Sequence, residues 1–500
     1  MKSFLIGMLV STGLMFTFIY STAINPSVLT NILSAQENTS NEASEENEST
    51  SIEEGAAPEE TGSQSYQTKI EKGDALFKEG YYELAAQQYE QASVIETDLS
   101  EPFNKLGAAY FENEDYEKAL DAFTESLKKN STQAIAQIGL GRSLLALEKF
   151  DAATQHFAQL TMNDPGIVYY QGVMSAYNGD YEKAKLNFTQ LIPEKNTAKI
   201  GSEWPGKAQN YLNSMEEYVG AQDPNPNYIK TLMARSFVET GEKTLAINTL
   251  YKVLQQESDY RDAWIILGYT YLNEEQWNEA QDALFKAVEI DPTKAETRYF
   301  LGLTYYAKED YTSTIAQMEL ALQSGFKPVL DPYTKIGDSA VHVQDYQKAI
   351  EAYEKILVLD SGEVDLFIRP VWIYIDHLNN PKKAIEWAER AVTEHPNEAM
   401  GYNLLGWAQM ANGELEEAEQ NLNYALVLDS KLAAAYLNFG TLYEKEGKLE
   451  QAKENYKRAY TLDPSGSAGN RAAENYNRLQ NTTTESQNTV TPSDKTTPTL

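Results

Sequence analysis

The chain has 500 residues, 42% of them hydrophobic and 23% charged, with 33 tyrosines and no cysteine. It can bury a large core, but it cannot form disulfides, zinc–thiolate sites, a thiol nucleophile or a cysteine-linked lipid anchor. A formal charge of −33 repels phosphate backbones and anionic lipid surfaces, so nucleic acid is excluded as a partner and basic proteins are favoured by charge.

Lys2 precedes an apolar run from Phe4 to Tyr20 that fades at Ile24, and the next basic residue is Lys69. That asymmetry predicts a cytoplasmic N-terminus with the rest of the chain outside the membrane. Residues 1–24 read either as a signal peptide cleaved near Ala23, after Ser21 and Thr22, or as a retained transmembrane anchor, because the run approaches the ~20 residues that span a bilayer. Residues 25–65 read as an acidic disordered linker: from Gln36 to Ser65 there are nine glutamates, no basic residue and one bulky aliphatic, Ile52. Such a segment buries too little apolar surface to offset its ordering entropy, and it repels itself.

From residue 66 the glycines keep a period. Gly73, Gly107 and Gly141 stand 34 residues apart, as do Gly268 and Gly302, and Gly406 and Gly440. Gly172 comes 31 after Gly141, and Gly337 comes 35 after Gly302. Nine residues past each glycine stands an aromatic or leucine, such as Tyr82, Tyr116, Trp277 or Tyr346. Alanine usually follows three later (Ala85, Ala119, Ala280, Ala349), then a large residue four further on (Tyr89, Phe123, Leu284, Tyr353). Spacings of three and four predict two amphipathic helices per unit. Glycine inside a helix is unfavourable by roughly 0.5–1 kcal/mol against alanine, so its recurrence predicts a close approach of the paired helix, with the alanine positions facing the glycine. Asp164-Pro165, Asp291-Pro292 and Asp463-Pro464 close several units, and each proline suits the first turn of the next helix.

This pattern resembles the tetratricopeptide repeat (TPR) family over about Tyr66 to Pro464. The resemblance implies an all-α, right-handed superhelical solenoid of about eleven helix–turn–helix repeats, with a concave groove lined by the first helix of each. Residues 66–191 read as an N-terminal array and 227–464 as a C-terminal array. Residues 192–226, with four prolines and room for a helix from Pro205 to Val219, read as a divergent joint, the alternative being a degenerate repeat in one continuous solenoid. Residues 465–480 read as a polar capping helix and 481–500 as a disordered Thr/Ser-rich tail. The glycine slot is taken by Ala234 and by Trp372, and Pro370 should disturb the helix that carries Trp372.

No catalytic, metal or cofactor site is legible. His156, His342, His377 and His395 fall in different repeats without ligand or nucleophile spacing, and no phosphate loop, zinc motif or serine elbow occurs. With the recurrent glycine counted as the eighth residue of a repeat, the resemblance puts the fifth, ninth and twelfth residues on the concave face. That lining includes Phe77, Phe111, Tyr169, Tyr269, Tyr299, Tyr306 and Trp407, with Tyr177 one residue past. The groove candidates are therefore Tyr169, Tyr177, Tyr269, Tyr299, Tyr306 and Trp407, since aromatic anchors give large contact area at little rotamer entropy. The family's carboxylate clamp and its asparagine ladder are both missing; the ladder positions read Glu71, Lys105, Gly139, Ile266, Phe300, Ile336, Leu404 and Asn438. The expected function is a non-catalytic scaffold for other proteins or peptides outside the cytoplasmic membrane. A subunit that recruits substrate for a separate enzyme is the alternative, and a sugar- or peptide-processing enzyme a more distant one.

Overall fold

A computed structural model describes residues 62–192, 203–221 and 225–488. The apolar run at 4–24, most of the linker and the end of the tail lie outside these residues. No helix among the described residues is long and apolar enough to cross a membrane.

All regular structure in the described residues is helical. The chain divides into two compact units, one up to Gln276 and one from Trp277 onward. In the first unit run α1 (Gly62–Lys78), α2 (Tyr82–Ile95), α3 (Glu101–Glu112), α4 (Tyr116–Lys129), α5 (Ala134–Ala146), α6 (Phe150–Gln159), α7 (Pro165–Tyr177), α8 (Tyr181–Leu191), α9 (Trp204–Val219), α10 (Pro226–Thr240), α11 (Lys243–Gln256) and α12 (Arg261–Asn273). The second unit holds α13 (Trp277–Ile290), α14 (Ala295–Ala307), α15 (Tyr311–Gln323), α16 (Leu330–His342), α17 (Tyr346–Leu359), α18 (Ile368–Trp372), α19 (Pro381–Glu394), α20 (Ala399–Asn412), α21 (Leu415–Leu428), α22 (Ala433–Lys445), α23 (Leu449–Leu462) and α24 (Ser467–Asn488).

Each repeat turns between its two helices through a residue in the left-handed region, seven positions after the glycine slot. These residues are Gly80, Glu114, Glu148, Gly179, Gly241, Glu275, Glu309, Gln344, Asn379, Gly413 and Gly447. Ala234 and Trp372 keep the same offset to Gly241 and Asn379, so they occupy true glycine slots and the repeat is countable eleven times among the described residues.

What faces the glycine is the large residue sixteen positions on, not the alanine. A Cβ on Gly73 would lie 2.5 Å from Tyr89 Cε1, on Gly141 2.1 Å from Phe157 Cζ, and on Gly440 2.4 Å from Tyr456 Cε1. The ring comes up against the bare backbone. Ala85, Ala119, Ala153 and Ala184 are fully buried one turn earlier on the second helix, where a small residue lets the two helices close.

Other expectations need amendment. Of the three Asp-Pro prolines only Pro165 opens a helix, with the Asp164 carboxylate accepting from the amides of Gly166 and Ile167 at 2.9 and 3.3 Å; Pro292 and Pro464 sit in the preceding turns. Pro370 breaks its helix as expected. A 3₁₀ turn (Val364–Phe367) leads into α18, and a π turn (Ile373–His377) comes after it. The Leu378 amide there donates to the Ile373 carbonyl at 2.9 Å, one residue further back than in an α-helix. The capping helix runs on to Asn488, eight residues into the stretch expected to be disordered, because no proline or glycine intervenes before Pro492.

The described part of the stretch 192–226, residues 203–221, belongs to the first compact unit. Its helix α9 packs into the same core as the repeats on both sides. Tyr211 stacks on Phe188 at 4.4 Å and meets Phe237 edge-on at 5.7 Å. Trp204 lies 5.0 Å from Tyr169. Polar ties complete the seam: Tyr211 with Thr240 at 2.7 Å, Ser214 with Ser236 at 2.9 Å, and Arg235 with Glu217 at 2.7 Å. Large aromatic area inside the insert, rather than repeat periodicity, holds it there.

Candidate functional site: the inner face of the repeats

The family resemblance puts the first helices on the inner face, and the residues at those positions differ between the two units. In the first unit the face is filled by the chain itself. The Tyr177 hydroxyl at the end of α7 donates to Asn248 Oδ1 at 2.7 Å and accepts from Lys252 Nζ at 2.8 Å. Both partners lie on α11, and the ammonium also sits 4.2 Å from the ring centroid. Phe150 packs against the same ring at 5.3 Å. Burial and the Asp151 carboxylate push the Tyr177 hydroxyl up to about 12, and burial lowers the Lys252 ammonium. Burial also raises the Glu242 carboxyl, against the pull of Tyr170, Arg142 and Lys207. Arg142 itself lies 4.2 Å from the Phe111 ring. The second helix of the fifth repeat thus packs against the first helices of the third and fourth.

Of the sequence candidates, Tyr169 has no exposure at all, and Tyr177 is half-buried with its hydroxyl bonded to α11. The amphipathic reading missed this because α7 is buried on almost every side, from Gly166 to Ala176. Tyr269 is also buried.

The second unit keeps an inner face with polar and aromatic groups at its surface. Tyr299 is buried at its floor, stacked on Phe326 at 4.1 Å, with its hydroxyl donating to Asp331 at 2.7 Å. Tyr306 is half-buried and carries the Lys335 ammonium 4.5 Å from its ring centroid. Asp338 pairs with Arg369 at 3.3 Å, and Arg369 remains exposed. Trp407 is half-buried beside Met410 and Leu442. Asn438 donates to Asn403 at 2.9 Å, a single step of a ladder and not a ladder. Arg471 of the capping helix reaches Asp376 at 3.6 Å. Alternating charge and ring faces of this kind can hold an extended polar backbone and its side chains.

Lys335, Asp338, Arg369 and Asp376 were not among the sequence candidates. Asp338 and Asp376 occupy the ninth and twelfth positions and were available to the same count; a search restricted to aromatics passed over them. No group of His, Asp and Glu side chains able to hold a metal ion occurs among the described residues.

Comparison with known proteins agrees with the repeat geometry. Tetratricopeptide repeat models match residues 110–177, 262–294, 377–433 and 433–465, and a TPR repeat model matches 73–114. Protein O-mannosyl-transferase TMTC3 of Homo sapiens is 24% identical over 348 residues, 67% of this chain and 32% of that protein. Heat shock protein STI1 of Saccharomyces cerevisiae is 32% identical over 105 residues, 21% of this chain and 18% of that protein. The chain thus spans a third or less of the length of these curated relatives. The crystal structure of the APC/C hetero-tetramer Cut9–Hcn1 covers 83% of this chain and 96% of its own, at 14% identity and a TM-score of 0.30. The eleven-fold turn, the glycine under a large ring and the family matches agree: this chain belongs to the tetratricopeptide repeat family.

Proposed function

We propose that the chain is a non-catalytic scaffold that binds a segment of another protein on the inner face of its second unit. The observation that carries this reading is the set Tyr306, Lys335, Asp338, Arg369 and Trp407, in which rings and opposite charges stand at the surface of successive first helices. An extended peptide or a helix with mixed charge matches it, and the chain's acidity favours a partner with net positive charge. The display is extracytoplasmic: residues 4–24 serve as signal or anchor, and the acidic linker lifts the repeats from the membrane. Supporting this are the lone N-terminal Lys2 and the basic-free stretch up to Lys69.

A second reading has its own support. The relative TMTC3 is named as a mannosyl-transferase, and about two thirds of its length lies outside the match. The repeats here would then recruit substrate for a separate catalyst.

The test is capture from solubilised envelope with the full chain, beside a Tyr306→Ala, Lys335→Ala, Arg369→Ala, Trp407→Ala variant whose helicity is verified by circular dichroism. A partner kept by the first and lost by the second supports the inner face of the second unit. Equal capture by both refutes that face. Co-capture of one enzyme in fixed stoichiometry favours the recruiting role. Protease accessibility of the repeats in intact cells, compared with lysed cells, tests the extracytoplasmic placement.

A further inference from the structure

The first unit holds a cleft of about 600 Å³ between α2 and α4, with α3 beneath. Its floor is apolar: Ala86, Phe103, Leu106 and Ala122. Its rim carries Glu83, Glu90, Asp115, Asp121 and Glu125 against a single lysine, Lys118. That lysine already shows which chemistry the wall accepts. Its ammonium lies 5.1 Å from the Tyr110 ring centroid and 3.2 Å from Asp115, while the Tyr110 hydroxyl bonds to Glu90. One wall of the cleft thus holds a cation in an aromatic–carboxylate cradle; of the other rim carboxylates Glu125 pairs with Lys128, while Glu83 and Asp121 border the apolar floor.

We propose that this cleft is a second docking site, separate from the inner face of the second unit, for an arginine- or lysine-bearing extended segment of a basic protein. Charge complementarity and shape argue together. A long basic side chain lays its methylene stem on apolar surface and keeps its charged head at a polar rim, which matches an apolar floor ringed by carboxylates. The planar guanidinium suits the carboxylate pairs better than an ammonium does, because it binds two oxygens at once and stacks on rings such as Tyr110. The volume lies within the range of small-ligand sites and accommodates two or three residues of a peptide. The chain's own N-terminal linker is an unsuitable occupant, since from Gln36 to Ser65 it is acidic and carries no basic residue.

The experiment uses the full chain and a fluorescent hexapeptide of alternating arginine and leucine, read by anisotropy at near-physiological salt. A matched peptide with citrulline in place of arginine reports the charge dependence. The cleft variant is Glu83→Gln, Asp121→Asn, Glu125→Gln. The control variant removes three exposed carboxylates from the second unit: Glu416→Gln, Glu417→Gln, Glu450→Gln. The expected result is a Kd for the arginine peptide weakened at least tenfold by the cleft variant and changed less than twofold by the control, with the citrulline peptide weak throughout. A further variant, Gln87→Trp, leaves the charge intact and fills space at the cleft, and it is expected to weaken binding as well. Equal loss in the cleft and control variants would mean attraction to net charge alone and would overturn the proposal. So would no measurable binding to the native chain, or equal affinity for the citrulline peptide.

Discussion

The Tyr353 hydroxyl donates to Asp338 Oδ1 at 2.6 Å by reaching across the bare backbone of Gly337, whose missing Cβ would lie 2.8 Å from the same ring. The arrangement recurs. Tyr89 reaches Asp74 at 2.7 Å over Gly73, and Tyr456 reaches Thr441 at 3.4 Å over Gly440. Where the residue after the glycine cannot accept, the large residue has no hydroxyl: Phe123 with Ala108, Phe188 with Val173, Met318 with Leu303. Choice of tyrosine or an apolar residue thus tracks the acceptor. In Tyr353→Phe, Asp338 keeps Arg369 but loses its buried donor. A loss of about 1–2 kcal/mol is expected in chemical denaturation. The reverse change, Phe123→Tyr, is expected to destabilise as well, because the hydroxyl would project from Cζ against the backbone of Gly139, and Ala108 offers no side-chain acceptor. An unchanged or raised midpoint in either variant would refute the pairing rule.

Left-handed turns make a second prediction. Glu309 holds φ at +59°, whereas Gly413 serves the equivalent turn at +89°. An L-residue there is strained by roughly 1–2 kcal/mol, and glycine relieves that strain while gaining unfolded-state freedom. Glu309→Gly is therefore expected to raise stability by up to about 1 kcal/mol, and Gly413→Ala to lower it by about the same amount. Calorimetric midpoints of the two variants should move in opposite directions, and a common direction would contradict the argument.

Much of this architecture was legible because the repeat writes it many times. Glycine recurrence gave the register, and the exceptions at Ala234 and Trp372 kept phase with the turn residues seven positions on. The inner face was less legible. Tyr169 sits at a position that the repeat count assigns to a groove and Tyr177 one residue past such a position, yet Trp204 and Tyr211 of α9 pack against Tyr169 and α11 bonds to Tyr177. That outcome depends on contacts between residues some 70 positions apart, such as Tyr177 and Asn248, which local periodicity does not encode. The polar residues Asp338 and Arg369 were visible as letters, but their pairing arises only when two repeats stack.

Burial lowers the His156 imidazole below its ordinary value, although a bond from its ring nitrogen to the Gln137 carbonyl at 2.8 Å pulls the other way. The folded chain then binds this proton less readily than the unfolded chain does. The stabilising contribution is complete above the ordinary value of 6.5 and is lost as pH falls through the folded value. His156→Gln can keep a donor to the carbonyl without titrating. The drop in thermal midpoint between pH 7.5 and pH 5.5 is expected to be smaller in the variant than in the native chain. An equal or larger drop would assign the acid sensitivity elsewhere.

The clasp of α11 onto α7 makes the last prediction. The Tyr177 hydroxyl donates to Asn248 and accepts from Lys252, so Tyr177→Phe deletes two bonds while keeping the ring beneath the ammonium. Tyr177→Ala removes the ring too, along with its packing against Phe150. Local opening of a repeat array is governed by such neighbour contacts rather than by global stability. Hydrogen exchange in residues 243–256 should therefore quicken about tenfold in Tyr177→Phe, the equivalent of roughly 1.4 kcal/mol, and further in Tyr177→Ala. Exchange in α20 to α23 should stay unchanged. If Tyr177→Phe left α11 as protected as before, the hydroxyl bonds would carry no weight and burial of the ring alone would hold the inner face shut. If exchange rose evenly through both units, the substitution would have lowered global stability instead of releasing a clasp.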